Sequence, residues 1–332
     1  MYGLTDSEMG RAAARGTLAP SVHNTQPWRF VISRGRLELY ADPQRQLRVL
    51  DPRGRQLMIS CGCALFNVRV ALAAAGYDAQ MERLPDPTHP DLLARVSLPA
   101  ESSRALPLAE LDTAIEERRT NRRRFVDQRV PADVLRRLTD AAQQEAAELY
   151  SVTAPDQRLA VARLSRQADA IELTDPAYRA ELRAWTTTDP HRGDGVLVTT
   201  VPHVDAGGSG DLPLRDFDTS GHGWLPVATN SGHDQCLLLL GTLDDDRMSW
   251  LRAGEALQRV WLELTRLGYV ASLFTQLIEV RQTHELLRHE LGLGIHPHLL
   301  MRVGQAPDTP PAPRRPAAEV ITDNSTVNGT SR

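Results

Sequence analysis

Lysine is absent from this chain of 332 residues, so all 38 residues counted together as lysine and arginine are arginine. A chain without lysine cannot form the Schiff base that pyridoxal phosphate enzymes need, and it lacks the phosphate-binding lysine of a P-loop. Any anion site must therefore use arginine side chains or backbone N–H groups. Arginine suits phosphate because its planar guanidinium can donate two parallel hydrogen bonds.

Cysteine is scarce, with three residues at positions 61, 63 and 236. Three thiols cannot make a disulfide framework, and this spacing matches no zinc motif. We interpret the cysteines as small side chains buried in a protein of a reducing compartment. The sequence therefore predicts no metal site at the cysteines.

An excess of basic charge is also missing, since the formal net charge is −4. This argues against a protein that coats nucleic acid and favours a small-molecule partner. Asp6, Glu8, Arg11 and Arg15 interrupt the first residues, so no secretion signal is predicted. No apolar run approaches the length of a membrane span. We expect a cytoplasmic protein that binds neither membranes nor nucleic acid.

Apolar periodicity predicts both helices and strands, which indicates an α+β fold. Residues 28–33 and 37–40 are predicted as strands joined by a turn at Arg34–Arg36, and residues 94–98 and 298–303 as further strands. The helix that begins at Pro131 has one apolar face, which includes Leu149. The other predicted helices cover residues 6–18, 56–75, 107–118, 156–173, 176–185, 247–267 and 280–291.

Residues 186–235 differ from the rest because they are dense in Gly, Asp, His, Thr and Pro and show little periodicity. A stretch this long in a compact chain is typical of a functional lid or of disorder. Residues 307–316 are rich in proline and are predicted to form an extended arm. Residues 322–332 are predicted to be a disordered tail.

An internal repeat relates residues 62–77 to residues 254–269. Glycine occurs at the start of each copy and a Gly-Tyr pair at its end, and the apolar positions of each copy fall on one helix face. Two unrelated amphipathic helices with glycine at the C-terminus remain the alternative. A true repeat would mean two similar halves packed face to face, as in a twofold dimer.

Two segments carry residues suited to binding a ligand. The arginine run 118–124 could hold a phosphate with its guanidinium groups and with Thr120 and Asn121, or it could be a solvated basic turn. The loop 20–28 combines two prolines with five hydrogen-bonding side chains, which could face the edge of a planar heterocycle or could form an ordinary turn before a strand. The arginines in residues 310–316 could complete a phosphate clamp or belong to a linker.

The loop Pro20–Phe30 resembles the P-S-x-x-N-x-Q-P-W-x-F segment of nitroreductases, and Arg119–Phe125 is similar to their R-x-S-x-R-x-F element, with Asn121 in place of serine. Residues 299–304 and 310–316 resemble the closing strand and basic arm of that family. In ordinary nitroreductases the arginine element comes first. The reversed order here resembles the Acg family of fused nitroreductase-like proteins.

This resemblance implies a nitroreductase-like α+β fold with two pseudo-symmetric halves in one chain, each a mixed β-sheet flanked by helices. The first half would cover residues 1–106 and the second residues 107–321. Each half lacks the element that the other carries, so one site for FMN is expected at their interface. The resemblance also implies a monomeric pseudo-dimer or a weak homodimer.

The same resemblance assigns roles to residues at this interface. Arg119, Thr120, Asn121 and Arg123 would bind the phosphate and ribityl tail, and Arg314 or Arg315 would close that site. The rings would be lined by Pro20, Ser21, Val22, His23, Asn24 and Gln26. The loop Leu273, Phe274, Thr275 and Gln276 would lie beside flavin N5, although family members often have Glu-Gly where this chain has Thr275-Gln276.

The implied activity is NAD(P)H-dependent ping-pong reduction of a quinone, nitro compound or similar acceptor, with no catalytic side chain required. A protein that sequesters FMN under stress or dormancy is the alternative. A metal site in residues 186–235 is a third hypothesis. Its spacing matches no known metal-binding motif. The candidate ligands are His191, His203, Asp205, His222 and His233.

Overall fold

The α+β class predicted from the sequence is confirmed by the computed structural model. The structure describes residues 8–324 except 34, 100–105, 124, 127, 202–214, 216 and 218–234. Within this part of the chain, helices surround two separate β-sheets. A small two-stranded sheet is inserted in sequence between two strands of the second sheet.

The helices follow the predicted apolar periodicity closely, with two differences. The helix predicted over residues 107–118 is a 3₁₀ turn, Pro107–Leu111, followed by a short α-helix. The helix after Pro131 ends at Gln143, and Leu149 lies in a strand because the chain turns at Ala146 with a positive φ of 57°. The α-helices are α1 Glu8–Gly16, α2 Arg55–Ala74, α3 Asp112–Glu117, α4 Ala132–Gln143, α5 Pro155–Thr174, α6 Pro176–Ala184, α7 Arg247–Arg266, α8 Gln276–Glu279, α9 Arg281–Glu290 and α10 Ala317–Val320.

The first sheet has the order β11-β1-β2-β4-β3, and the second has the order β5-β8-β10-β9. The first sheet is mixed because β11 pairs parallel to β1. The named strands of the second pair antiparallel, with one parallel bridge between Thr120 and Ala271. The strands are β1 Trp28–Ser33, β2 Arg36–Ala41, β3 Gln80–Arg83, β4 Leu92–Ser97, β5 Glu148–Ser151, β6 Thr186–Thr187, β7 Val196–Leu197, β8 Cys236–Thr242, β9 Val270–Phe274, β10 His296–Gly304 and β11 Ile321–Asp323.

Helices α2 and α7 cross in the core at Gly62 and Gly254, the two glycines that begin the repeat. A Cβ atom built on Gly62 would lie 2.1 Å from the carbonyl oxygen of Leu251 and 2.9 Å from Cα of Gly254. A Cβ atom built on Gly254 would lie 2.0 Å from the carbonyl oxygen of Ile59 and 2.8 Å from Cα of Gly62. The contact is reciprocal, as at a twofold axis, and only glycine lets the two backbones come this close.

Helix α2 corrects the expectation that no apolar run reaches the length of a membrane span. Its 20 residues are long and apolar enough to cross a membrane. Most of the helix is nevertheless buried inside the protein, including Cys61 and Cys63. That burial is typical of the core helix of a soluble protein.

The C-terminal strand β11 also corrects an expectation, because Thr322 and Asp323 were assigned to a disordered tail. Ile321, Thr322 and Asp323 pair with Phe30, Val31 and Ile32 of β1. The backbone N–H of Asn324 donates to the carbonyl of Ile32 over 2.8 Å. The arm 307–316 contains no helix or strand, and it brings the chain from the second sheet back to the first.

Candidate functional site

The loop between α1 and β1 adopts a backbone that few residues tolerate. His23, Asn24 and Gln26 have positive φ angles of 46°, 55° and 49°. The hydroxyl oxygen of Ser21 accepts from the N–H of Gln26 over 2.9 Å, and the N–H of Val22 donates to Ser60 of α2 over 3.1 Å. Left-handed residues other than glycine are uncommon, and they cluster at functional sites because the surrounding contacts must hold them.

Two polar side chains of this loop hold neighbouring segments in place. The amide of Asn24 donates to the carbonyls of Gly195 and Pro313, each over 3.1 Å. The amide of Gln26 donates to Gly193 over 2.8 Å, and its oxygen accepts from the N–H of Arg315 over 2.9 Å. Neither Gln26 nor Arg315 is among the residues that line the cavities below. Their role in binding a ligand remains a prediction.

Two adjoining cavities open beside this loop, with volumes of about 170 and 100 Å³. Residues of the first, arginine-rich cavity are Leu18, Pro20, Ser21, Asn24, Ile115, Glu116, Arg118, Arg119, Thr120, Arg122, Gly195, Val196, Leu197, Thr200, Thr309, Pro310, Pro311, Ala312, Pro313 and Arg314. Residues of the second, more apolar cavity are Pro20, Ser21, Val22, His23, Gln56, Ile59, Ser60, Cys63, Thr120, Arg122, Arg215, Phe217, Leu257, Leu273, Thr275, Gln276 and Leu299.

The arginine run faces the cavities one residue away from the predicted register. Arg118, Thr120 and Arg122 line them, whereas the Asn121 side chain is fully buried and donates to the carbonyl of Pro307 over 2.8 Å. Arg123 donates its N–H to Asn121 over 3.0 Å and does not line either cavity. The structure therefore places neither Asn121 nor Arg123 at the cavities, and their roles in binding a cofactor remain predictions. In extended backbone, successive side chains point to opposite sides, which separates Thr120 and Arg122 from Asn121 and Arg123.

The sequence itself contains a signal for this register. Arg118-Arg119-Thr120-Asn121-Arg122 fits R-x-S-x-R with threonine in place of serine. The alignment that ends at Phe125 instead places Asn121 at the serine position. Arg119 lines the first cavity in either case, and it donates to the carbonyl of Arg118 over 2.9 Å.

Arg118 is a buried cation without a nearby carboxylate partner in the described part of the chain. It is 5% exposed, its guanidinium lies 4.8 Å from the ring centre of Trp261, and its Nε and Nη1 atoms have no hydrogen-bond partner. Burial, followed by the positive charges of Arg314 and Arg119, lowers the pKa of Arg118 to about 9. The one carboxylate that lines this cavity, Glu116, forms an ion pair with Arg15. A buried guanidinium in this setting favours an anionic ligand.

Arg314 lines the same cavity and binds backbone carbonyls. It donates to Thr17, Leu18 and Ala19 over 3.1, 3.0 and 3.1 Å. Burial and the charge of Arg119 lower the pKa of Arg314 to about 10. Arg314 therefore fixes the end of α1 against the arm and adds positive charge at the cavity.

The second cavity contains two residues that the sequence did not indicate as ligand-binding, Arg215 and Phe217. Arg215 is buried, and its Nη1 lies 2.9 Å from Nε2 of His23. It also forms an ion pair with Glu279 and lies 3.8 Å from Glu172. The Phe217 ring meets the His23 ring edge-on with 5.3 Å between their centres. These contacts join positions far apart in sequence, so no local motif could have revealed them.

The loop after β9 lies at the second cavity as predicted, except for one residue. Leu273, Thr275 and Gln276 line it. Phe274 packs in the core on the other side, with the guanidinium of Arg302 5.7 Å from its ring centre. The amide of Gln276 donates to Asp169 over 2.9 Å. The alternation of side chains along a strand explains why Phe274 does not line the cavity.

The repeat relates this cavity to a second region that is filled by ion pairs. The two copies of the repeat are 254 − 62 = 192 residues apart. With this offset, Glu255 is the counterpart of Cys63, and Arg83 is the counterpart of Thr275. The carboxylate of Glu255 accepts from Nε of Arg83 over 2.6 Å and from Arg69 over 2.8 Å. These ion pairs occupy positions whose counterparts in the second cavity are Cys63 and Thr275.

The metal hypothesis depends mostly on residues outside the described part of the chain, since His203, Asp205, His222 and His233 lie there. The described residues contain no group of three or more His, Cys, Asp or Glu side chains that could hold a metal ion. The N–H of His191 donates to Asp189 in a local turn.

A comparison with known proteins identifies the family. A model of the nitroreductase family matches residues 115–305, more than half of the chain.

The chain belongs to the nitroreductase family.

Two proteins of Mycobacterium tuberculosis are similar to this nitroreductase over most of its length. "Putative NAD(P)H nitroreductase Rv3131" is 36% identical over 308 residues, which cover 91% of this chain and 88% of the relative. "Putative NAD(P)H nitroreductase acg" is 35% identical over 324 residues, which cover 91% of this chain and 92% of the relative. A structure from Anabaena variabilis, described as a "putative nitroreductase", covers 87% of this chain and 82% of its own at 11% identity, with a TM-score of 0.53. That structure supports the fold alone.

Proposed function

We propose that this nitroreductase binds one FMN per chain across the two adjoining cavities and uses it for NAD(P)H-dependent reduction of a quinone, nitro compound or similar acceptor. The observation that carries the proposal is the buried guanidinium of Arg118 at the arginine-rich cavity. Its Nε and Nη1 atoms have no hydrogen-bond partner among the described residues, so the cavity fits a phosphate monoester better than a neutral ligand.

Two groups of residues would hold the cofactor. Arg118, Arg119, Thr120 and Arg122 would face its phosphate and ribityl tail, with Arg314 adding charge from the arm. Pro20, Ser21, Val22 and His23 would line the rings on one side, and Leu273, Thr275 and Gln276 on another. Asn24 would position the loop from its contacts with the arm.

When bound, FMN supplies the exchange of two electrons with NAD(P)H and with the acceptor. The protein's part is to orient the rings and to exclude water with apolar walls such as Ile59, Leu257 and Leu299. No carboxylate lines the second cavity among the described residues, and Arg122 and Arg215 place positive charge there. Such charge favours electron-rich states of a bound ring. We expect ping-pong kinetics, in which NAD(P)H leaves before the acceptor enters.

The names of the relatives support this reading, because two of them are called NAD(P)H nitroreductases. We infer further that residues 1–106 and 107–321 are related halves, so that the chain resembles a dimer in itself. The reciprocal contact of Gly62 with Gly254 supports this division. We expect a cytoplasmic monomer or weak homodimer.

The test is an absorption spectrum of the purified protein, combined with flavin quantification and steady-state NAD(P)H oxidation. The proposal predicts a flavin spectrum, one FMN per chain and turnover with a quinone or nitroaromatic acceptor. Protein that neither retains nor takes up FMN would refute it. Two FMN per chain would refute the single site.

A flavin-sequestering protein is the second candidate, and a specific observation favours it. Phe217 and Arg215 come from the segment 186–235 and line the second cavity, where a nicotinamide or an acceptor would have to approach the rings. If this segment acts as a lid, bound FMN would be reducible by light but not by NAD(P)H. Turnover with NADH or NADPH would exclude this candidate.

A further inference from the structure

His23 is a buried histidine at the centre of the second cavity wall. It is 7% exposed, it lies in the left-handed region, and it packs edge-on against Phe217. The side chain is therefore held in one place by the loop backbone on one side and by an aromatic ring on the other. A residue fixed in this way can present a defined atom to a ligand.

The contact with Arg215 determines which nitrogen of His23 carries the proton. Nη1 of Arg215 lies 2.9 Å from Nε2 of His23. A guanidinium has donors only, so Nε2 must accept this hydrogen bond and cannot carry a proton. A neutral imidazole with an unprotonated Nε2 has its single proton on Nδ1.

The charges around His23 keep the ring neutral. Burial, and then the positive charges of Arg215 and Arg122, hold the pKa of His23 well below its usual value. The nearby carboxylates of Glu279 and Glu172 interact with the guanidinium of Arg215 rather than with His23. His23 therefore remains an uncharged donor across the physiological pH range.

The Nδ1 atom of His23 is buried and has no hydrogen-bond partner among the described residues. A buried N–H without an acceptor is unfavourable, and a ligand that supplies an acceptor removes that penalty. We propose that His23, fixed by Arg215 with its single proton on Nδ1, donates a hydrogen bond from Nδ1 to an acceptor atom of the heterocyclic ring bound in the second cavity. The contact rests on the proposed function, and it makes Arg215 a positioning residue that acts through His23.

The protonation state can be measured directly without any flavin. Long-range ¹H–¹⁵N correlation spectra of histidine-labelled protein distinguish protonated from unprotonated ring nitrogens, and the His23→Asn variant assigns the signals of His23. We expect an unprotonated Nε2 and a protonated Nδ1 from pH 5 to pH 8. A proton on Nε2, or a doubly protonated ring within that range, would overturn the proposal whether or not FMN binds.

The contact with the ring is tested by two substitutions of His23. The amide nitrogen of an asparagine side chain can take the place of Nδ1, and asparagine tolerates positive φ, so His23→Asn should retain FMN affinity and the flavin absorption maxima. His23→Leu should weaken FMN binding about tenfold and shift the visible maxima. Equal affinity and equal spectra for His23→Leu and the native protein would overturn the contact.

The positioning role of Arg215 is tested by a double-mutant cycle with FMN affinity as the readout. Arg215→Gln should weaken binding about tenfold in the native background but only about twofold or less in the His23→Asn background, where no imidazole remains to be oriented. Equal losses in both backgrounds would indicate a structural role only, and they would overturn this part of the proposal. Absence of FMN binding by the native protein would refute the proposed function and the ring contact, while the NMR result would still decide the proton position.

Discussion

Gly62 and Gly254 touch through their backbones where α2 and α7 cross, and each would place a Cβ atom about 2 Å from a carbonyl oxygen of the other helix. The two parts of the proposed flavin site approach each other on either side of this crossing. Ile59, Ser60 and Cys63 of α2 line the second cavity together with Leu257 of α7. The distance between the helices therefore sets the width of the cavity as well as the packing of the core.

Replacing Gly254 with alanine should destabilise the protein by about 2–3 kcal/mol or more, because the helices must separate around a backbone that cannot move locally. Urea denaturation followed by circular dichroism measures the loss. Gly294→Ala is the matched control, since nothing lies within 4 Å of a Cβ atom at that position. Equal midpoints for the two variants would contradict the close crossing.

Replacing Arg118 with methionine should have opposite effects on the empty protein and on flavin binding. Removing a buried cation that has no carboxylate beside it should leave the stability of the FMN-free protein unchanged or raise it. FMN affinity should fall by about 10–100-fold, since a charged hydrogen-bond donor is lost. Thermal unfolding without FMN and fluorescence titration with FMN measure the two effects, and Arg136→Met on the exposed face of α4 is the control.

The register of the arginine run predicts different results for two neighbouring residues. Arg122 lines both cavities, so Arg122→Gln should weaken FMN binding about tenfold or more. Arg123 lines neither cavity, so Arg123→Gln should retain affinity within about twofold of the native protein. Fluorescence titration with FMN measures both affinities. A larger loss of affinity for Arg123→Gln than for Arg122→Gln would instead support the alignment that places Asn121 at the serine position.

Acid should destabilise the protein in part through His298. Burial is the main cause that lowers the pKa of His298 to about 3, and its Nε2 lies 2.6 Å from the hydroxyl of Thr242. Between about pH 6.5 and pH 3 the unfolded chain binds a proton here that the folded chain does not, so stability decreases as pH falls.

The expected contribution of His298 is at most about 1.4 kcal/mol per pH unit across that window. His298→Gln should show a shallower decrease in its urea midpoint between pH 6.5 and pH 4 than the native protein. His289→Gln, at an exposed position of α9, should follow the native slope. A native slope in His298→Gln would show that this imidazole does not contribute.

The amphipathic helices and the ligand loop could be predicted because their signals are local. Helix α2 and helix α7 were predicted within a few residues from apolar spacing and terminal glycine. The loop 20–28 is predictable because its motif residues are consecutive and their side chains stabilise the loop. For example, the hydroxyl oxygen of Ser21 accepts a hydrogen bond from the N–H of Gln26.

The parts that were not predicted depend on contacts between distant segments. Strand β8 contains four consecutive leucines, 237–240, and is buried in the middle of its sheet, so it lacks the alternation that identifies half-buried strands. The arginine run has five arginines in seven residues, which leaves its register open until Thr120 pairs with Ala271. Arg215 and Phe217 enter the site from a segment without periodicity, and nothing in the sequence connects them with His23.

The pairing of β11 with β1 has a consequence for synthesis on the ribosome. Until residues 321–323 have emerged, β1 is an edge strand whose outer N–H and carbonyl groups have no partner in this sheet. Exposed edges of this kind are templates for pairing with other nascent chains. A stop codon before residue 321 would thus leave β1, which is translated much earlier, without its parallel partner strand, and we would expect such products to aggregate or be degraded.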